Sequence, residues 1–358
     1  MSAPRAERVI SAPRADRVMT ARHVAGAPGP AEAVEADVII LSLDRAEETV
    51  AAIASARAQT GVAKHVWIVD QGSRPEALAR LAAAVGGARD ATLVRLDRNH
   101  GVAGGRNRAT ALGRAPFVFA LDNDAEFATE TTLAAACAAL RAAPDIAAIA
   151  CRILVHATGR DDLTSWGYPH GLLPRAAESF DAATFVGAGH ALRRADIEAA
   201  GGYDEALFFT WEEFDLALRL INMGRRIRYR GDIAVRHKVS AEQRHAWTGT
   251  RWHHFVRNRL YVALKHGAHP LALLPRFLAY QVKGARNGVL AQGLRAGPAA
   301  LGLARRFNPA PGTAHLYGPT EAARAYLART DAAHRGGWLA RLRGEVLGGL
   351  PAIRAPQR

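Results

Sequence analysis

The chain has 358 residues, 49% of them apolar and 22% charged, a globular composition that excludes a disordered or fibrous protein. A formal charge of +14 and a pI near 10.7 point to an anionic partner: nucleic acid, a phosphorylated substrate or an acidic membrane surface. Four lysines occur (Lys64, Lys238, Lys265, Lys283), so the excess is nearly all arginine in an alanine-rich chain, a bias that coding composition also produces. Cys137 and Cys151 stand apart in apolar surroundings. They form no metal-ligand spacing and no disulfide framework, which suits a reducing, cytoplasmic setting. No apolar run reaches the length of a membrane span, and no signal core is visible near the N-terminus.

In chain order, residues 1–34 are rich in Ala, Arg, Pro and Gly, and "SAPRAERV" at 2–9 returns as "SAPRADRV" at 11–18. Such a Pro-punctuated segment lacks a hydrophobic face, so a disordered tail is expected. From Asp37 strands alternate with helices. "DVIILSL" reads as a strand and Ala46 to Gln59 as a helix. "HVWIVD" is a strand ending at Asp70, and "QGSRPEALARLAAAV" starts the next helix. "ATLVRLD" is a third strand, leading through "RNHGVAGGRN" into a helix, and "FVFALDND" is a fourth. This order predicts an α/β fold, a mostly parallel sheet flanked by helices. Ligands in such sheets bind beyond the carboxyl ends of the strands, and Asp70, Asn99, Asp122 and Asp124 all follow strand ends.

Asp122 and Asp124 make the clearest chemical demand. Two carboxylates one residue apart after an apolar run repel each other and lose solvation unless positive charge lies between them. A divalent cation meets that need; a polar turn is the alternative. Gly101, Gly104 and Gly105 sit where a loop enters a helix, which suits either the approach of a phosphate or close packing. Farther on, "WEEFDLALRL" places Glu212, Glu213 and Asp215 in the first turn of a helix. They complement the helix dipole. Beside "ALFFTW", a carboxylate with a raised pKa also suits a general base. His237 follows the strand-like "DIAV".

Taken in order, "VIILSLDR", "IVDQGS", "NHGVAGGRN", "LDNDAEF", "GGYDEALFF", "WEEFDLALRL" and "AVRH" resemble the glycosyltransferase family 2 enzymes of the GT-A fold, across residues 37–240. The resemblance implies a catalytic domain over 35–240 and a metal-dependent, inverting, non-processive transfer of a sugar from a nucleotide-diphospho-sugar. By position it puts Asp70 near the nucleoside, with Asn99, Gly101, Gly104, Arg106 and Asn107 in the donor loop. Asp122 falls near the ribose or a metal-bound water, and Asp124 and His237 on Mg²⁺ or Mn²⁺. Glu213 takes the place of the family's usual Asp as catalytic base, with Glu212 and Asp215 as alternatives. A UDP or dTDP donor is expected, with a saccharide, lipid-linked or small-molecule acceptor and no nucleic-acid partner.

Residues 241–358 are expected to form a helical extension. "TRWHHFVRNRLYVALKHG", with Arg257 and Asn258, resembles the helix after the catalytic domain in the rhamnosyltransferase-like branch. "QRHAW" carries Ala246 where processive synthases have Arg. The apolar and basic runs at 269–307 and in "WLARLRGEVLGGL" suit either packing on the catalytic domain or contact with an anionic membrane. Trp166, Tyr168 and His170 are candidates for stacking on a sugar or for anchoring their own loop. Two other readings remain from the residues alone: an inactive scaffold, given Glu at 213, and a basic protein binding a polyanion through Arg225, Arg226, Arg228 and Arg230.

Overall fold

The computed structural model describes residues 21–238 and 249–337. The two N-terminal repeats, "QRHAW" and "WLARLRGEVLGGL" lie outside the described residues. The stretch expected to be a tail nevertheless contains a strand. β1 (Ala21–Gly26) pairs antiparallel with β4 (Ala91–Leu96), because "HVAG" offers an edge partner whose turn closes at Gly26 with φ +79°. Any side chain at Gly26 would collide with the Ala91 carbonyl.

The next elements follow the expected alternation: β2 (Ala36–Ser42), α1 (Ala46–Arg57), β3 (Lys64–Asp70), α2 (Pro75–Val85), β4, α3 (Gly101–Leu112) and β5 (Phe117–Leu121). Strands β4-β3-β2-β5 are mutually parallel and buried on both faces. Val38, Ile40, Val66, Ile68 and Leu93 are fully buried, each worth about 1.5–3 kcal/mol of burial. A buried polar lock fixes the base of this half. Asp37 accepts from the Trp67 indole (2.8 Å) and the Ala115 amide (2.8 Å) and pairs with Arg194 at 2.6 Å.

Beyond β5 the sheet becomes mixed. It continues β5-β9-β7-β10-β6, with β6 (Ala125–Phe127), β7 (Ile146–Val155), β9 (Gly189–Arg193) and β10 (Arg226–His237), while β8 (Ser179–Ala182) pairs with β10. Helix α4 (Thr132–Ala142) covers one face, and α5 (Arg194–Ala199) and α6 (Glu212–Asn222) the other. Cys137 and Cys151 are both buried and free.

After α6 and β10, helices α7 (Gly249–Lys265), α8 (Leu274–Arg286) and α9 (Leu290–Arg306) build a further apolar cluster around Trp252 that takes in Trp211, Phe214 and Leu218 from α6 and the turn before it. Helix α10 (Glu321–Thr330) returns to the sheet, where the Tyr326 hydroxyl donates to the Ala182 carbonyl at 2.9 Å. The helices after β10 are therefore packed onto the unit built around the sheet. Lys265 of α7 is fully buried between Asp204 (2.5 Å) and Asp215 of α6 (2.8 Å).

Candidate active site

The carboxyl end of β5 meets β10 through a short ladder. Strand β6 pairs with β10 so that His237 lies opposite Ala125, and the Lys238 amide donates to the Asp124 carbonyl at 2.7 Å. This register brings His237 Nε2 to 3.4 Å from Asp124 Oδ1. The other ring nitrogen, Nδ1, donates to Asp162 Oδ2 at 3.0 Å, and Ser165 Oγ donates to the same oxygen at 2.6 Å. Burial disfavours a charged imidazole, but the hydrogen bonds to Asp124 and Asp162 outweigh it and push the His237 pKa up to about 10. Asp124 also accepts from Arg45 Nη1 at 2.8 Å. Burial would raise its pKa, yet His237 and Arg45 hold it below the ordinary carboxylate range.

Arg106 links this cluster to α6. Buried on α3, its Nη2 donates to Asp122 Oδ1 (3.0 Å) and to the Gly187 carbonyl (3.0 Å), while Nη1 pairs with Glu213. A side chain at Gly187 would have its Cβ 2.6 Å from Glu213 Oε1, so the pair requires glycine there. Fixed guanidinium hydrogen bonds of this kind orient a carboxylate as well as neutralise it.

The three acids of α6 have separate fates. Glu213 keeps 14% of its side chain exposed, next to Arg106. Glu212 is buried and its Oε2 has no hydrogen-bond partner. Desolvation first, and then the Glu213 charge, raise its pKa well above the usual value and so favour its protonated form. Asp215 is fully buried on another side of the helix, against Arg219 (2.9 Å), Lys265 (2.8 Å) and His266 (3.0 Å). Burial alone would raise its pKa, but the Lys265 and Arg219 charges and the His266 hydrogen bond hold it strongly down.

The turn that delivers Glu213 is strained and clamped. Phe208, Thr210 and Trp211 all have positive φ (60°, 71° and 71°), a conformation that costs non-glycine residues about 1 kcal/mol or more each. Asn258 of α7, fully buried, directs its Nδ2 at the carbonyls of Leu207 (2.8 Å), Phe209 (2.8 Å) and Thr210 (3.0 Å). Arg257 Nη2 reaches the Ala206 and Leu207 carbonyls at 3.2 Å each, and the Trp211 indole donates to the Phe255 carbonyl at 3.0 Å.

Residues 37–200 match the model of Glycosyl transferase family 2. The matched segment holds Arg106, Asp122, Asp124 and Asp162; the α6 acids, His237 and the Asn258 clamp lie C-terminal to it. No curated protein matches the sequence. Among solved structures, the mannosyltransferase PcManGT from Pyrobaculum calidifontis, in complex with GDP-Man and Mn²⁺, aligns with a TM-score of 0.51 at 20% identity. The alignment covers 93% of this chain and 89% of that one. GalNAc-T7, solved with UDP, GalNAc and Mn²⁺, aligns at 0.50 and 16% identity, over 65% of this chain and 48% of its own. The fold is thus that of the GT-A glycosyltransferases.

Several residues expected around the donor have local duties in this structure. Asp70 is fully buried; it accepts from the Ser73 amide (3.2 Å) and faces Arg95 at 3.4 Å. Asn99 accepts from the Gly101 amide at 2.8 Å, at the start of α3. The space beside Gly101 is filled by Phe208, and that beside Gly104 by His100 and Arg108, so both glycines serve close packing here. Asn107 binds the Tyr203 backbone at both ends (2.8 Å each) and Glu205 at 3.0 Å. Tyr168 is buried between Trp166, Phe180 and Tyr229 and so anchors its loop, while His170 is exposed. Arg225, Arg226, Arg228 and Arg230 are each paired with a carboxylate, so they form no bare cationic face. Arg45, Asp162 and Gly187 were not expected at the site. The "LDR" after β2 was a visible strand-end signal for Arg45; the other two join through loops with no local mark.

Proposed function

We propose that this protein is a metal-dependent, inverting glycosyltransferase that moves a sugar from a nucleotide-diphospho-sugar to an acceptor hydroxyl, one sugar per encounter. The observation that carries this reading is the Arg106 bridge, which holds Glu213 on one side and Asp122 on the other, beside Asp124 and His237. Of the three α6 acids, Glu213 is the base: Glu212 is buried, which disfavours its charged form, and Asp215 is engaged by Lys265 and Arg219. Glu213 takes the proton of the acceptor hydroxyl as its oxygen bonds to the anomeric carbon. The bond from that carbon to the diphosphate breaks on the opposite face, and the nucleoside diphosphate leaves with the electron pair.

Asp124 and His237 suit Mg²⁺ or Mn²⁺. An oxygen and an imidazole nitrogen face each other, and the ring's far nitrogen is backed by Asp162, the usual support of a metal-bound histidine. When bound, the cation would neutralise charge on the departing diphosphate. Among the described residues no three His, Cys, Asp or Glu side chains form a cage, so further ligands would come from substrate and water. The proposed donor is of the UDP or dTDP type. The acceptor is a saccharide, lipid-linked or small-molecule hydroxyl compound.

The test is nucleoside diphosphate release from UDP-, dTDP- and GDP-sugars with a panel of acceptors, followed by NMR of the product's anomeric configuration. Glu213→Gln and Asp124→Ala should each reduce transfer at least a thousandfold, by roughly 4 kcal/mol of barrier, while leaving the fold intact. Near-normal turnover in Glu213→Gln, or a retained anomeric configuration, would overturn the assignment.

A further inference from the structure

Helices α8 and α9 leave a row of large apolar side chains in solvent: Leu271 just before α8, then Leu274, Leu278 and Val282 along it, and Leu290, Leu294 and Leu301 along α9. Leu271, at 73% exposed, and Leu278, at 54%, cannot be incidental edges of the core. The spacing of three, four and seven residues puts each set on one helix face. It is separate from the face of α8 that turns Phe277, Tyr280 and Gly284 inward, and from the face of α9 that buries Ala296 and Ala300.

The same region carries one sign of charge. Residues 270–306, α8 and α9 with the turn before them, contain no Asp or Glu and six Lys or Arg. Among the described residues no carboxylate pairs with Arg276, Arg286, Arg295, Arg305 or Arg306. Exposed leucines alone would fit a second copy of the chain, but two copies would set like charges face to face. Cations alone would fit a nucleic acid, which gives no apolar phase to the leucines. An anionic bilayer surface supplies both lipid phosphates and hydrocarbon. No described helix is long and apolar enough to cross a membrane, so the contact lies in the plane of the interface.

We propose that α8 and α9 form a monotopic docking face for anionic lipid bilayers. The leucines and Val282 enter the acyl boundary, while the arginines, on long stems, stay at the headgroup level. A catalytic domain held there would meet an acceptor carried on a lipid; that consequence rests on the transferase reading, whereas the docking does not.

The full chain is sedimented with sucrose-loaded vesicles of phosphatidylcholine, with and without about 30% phosphatidylglycerol, at low and high salt. Binding is expected to the anionic vesicles and to weaken with salt. The Arg295→Ala/Arg305→Ala/Arg306→Ala variant should bind them roughly a hundredfold more weakly, at about 1 kcal/mol per arginine. Leu274→Glu/Leu278→Glu/Leu294→Glu, all at exposed positions, should abolish binding with an unchanged melting temperature. No binding to anionic vesicles would overturn the proposal. So would undiminished binding by the glutamate variant, which would make the contact purely electrostatic. A dimer without vesicles that the glutamate variant dissociates would assign the face to a second copy instead.

Discussion

Asn258→Ala is expected to slow turnover about a hundredfold while leaving donor binding nearly intact, although residue 258 lies far along the chain from the acidic residues. The side chain offers two N–H groups to three carbonyls of the turn before α6, at 2.8, 2.8 and 3.0 Å. At a net 0.5–1.5 kcal/mol each, its two N–H groups supply about 1–3 kcal/mol. Against this stand three left-handed non-glycine residues, which together cost roughly 3 kcal/mol. The two quantities are comparable, so losing the clamp lets the turn relax and carries Glu213 with it. A shift of about 1 Å at a reacting group is enough for a hundredfold loss. The assay is steady-state kinetics with thermal unfolding, run well below the melting temperature. A fall in kcat with the donor KM changed less than about twofold, and a lower melting temperature, is the expected result. Asn258→Asp keeps the shape but presents oxygen to the carbonyls, so it should not rescue. Unchanged kcat in a destabilised Asn258→Ala protein would refute the reasoning and leave Asn258 a stability residue only.

Lys265→Met should lower stability by about 3–5 kcal/mol, because it leaves the buried Asp215 and the part-buried Asp204 short of a partner; a denaturant titration measures it, and a loss under 1 kcal/mol would make the ion pair incidental. Glu212 titrates far above its unfolded value of 4.5, so the folded state binds the extra proton and loses stability as pH rises above about 4.5. Glu212→Gln should therefore gain melting temperature over the parent in EDTA, and the gain should widen as pH rises above about 4.5; parallel curves would contradict the burial argument. His237 keeps its proton up to about 10 in the metal-free protein, and a ligating imidazole must give it up. Mn²⁺ affinity by calorimetry should then rise with pH, approaching tenfold per unit near neutrality, and His237→Ala should bind more weakly and with a shallower slope.

The parts of the fold that could be read from the sequence are those set by neighbours in the chain. Strands such as Phe117–Leu121 announce themselves as short apolar runs, and Asp122 and Asp124 stand out because charge at the end of such a run has a local cost. The register that makes Asp124 meet His237 is set by β6 on β10, and no periodicity near either residue encodes it. The choice among Glu212, Glu213 and Asp215 was open for a similar reason. They share one helical turn, but their environments come from Arg106 on α3 and Lys265 on α7, both distant in sequence. Strand β1 was missed because one edge strand pairing on a single side needs no strong apolar alternation, so its composition resembles that of the tail around it. Gly101, expected in the donor loop, has the φ of +71° that a tight turn wants, and the atom its missing Cβ makes room for is the Phe208 carbonyl oxygen. Phe208 belongs to the strained turn that Asn258 holds, and the Val102 amide donates to that same carbonyl at 2.6 Å. The start of α3, which carries Arg106, and the turn that carries Glu213 are thus locked to each other. Through Gly101 the two halves of the Arg106–Glu213 pair are joined.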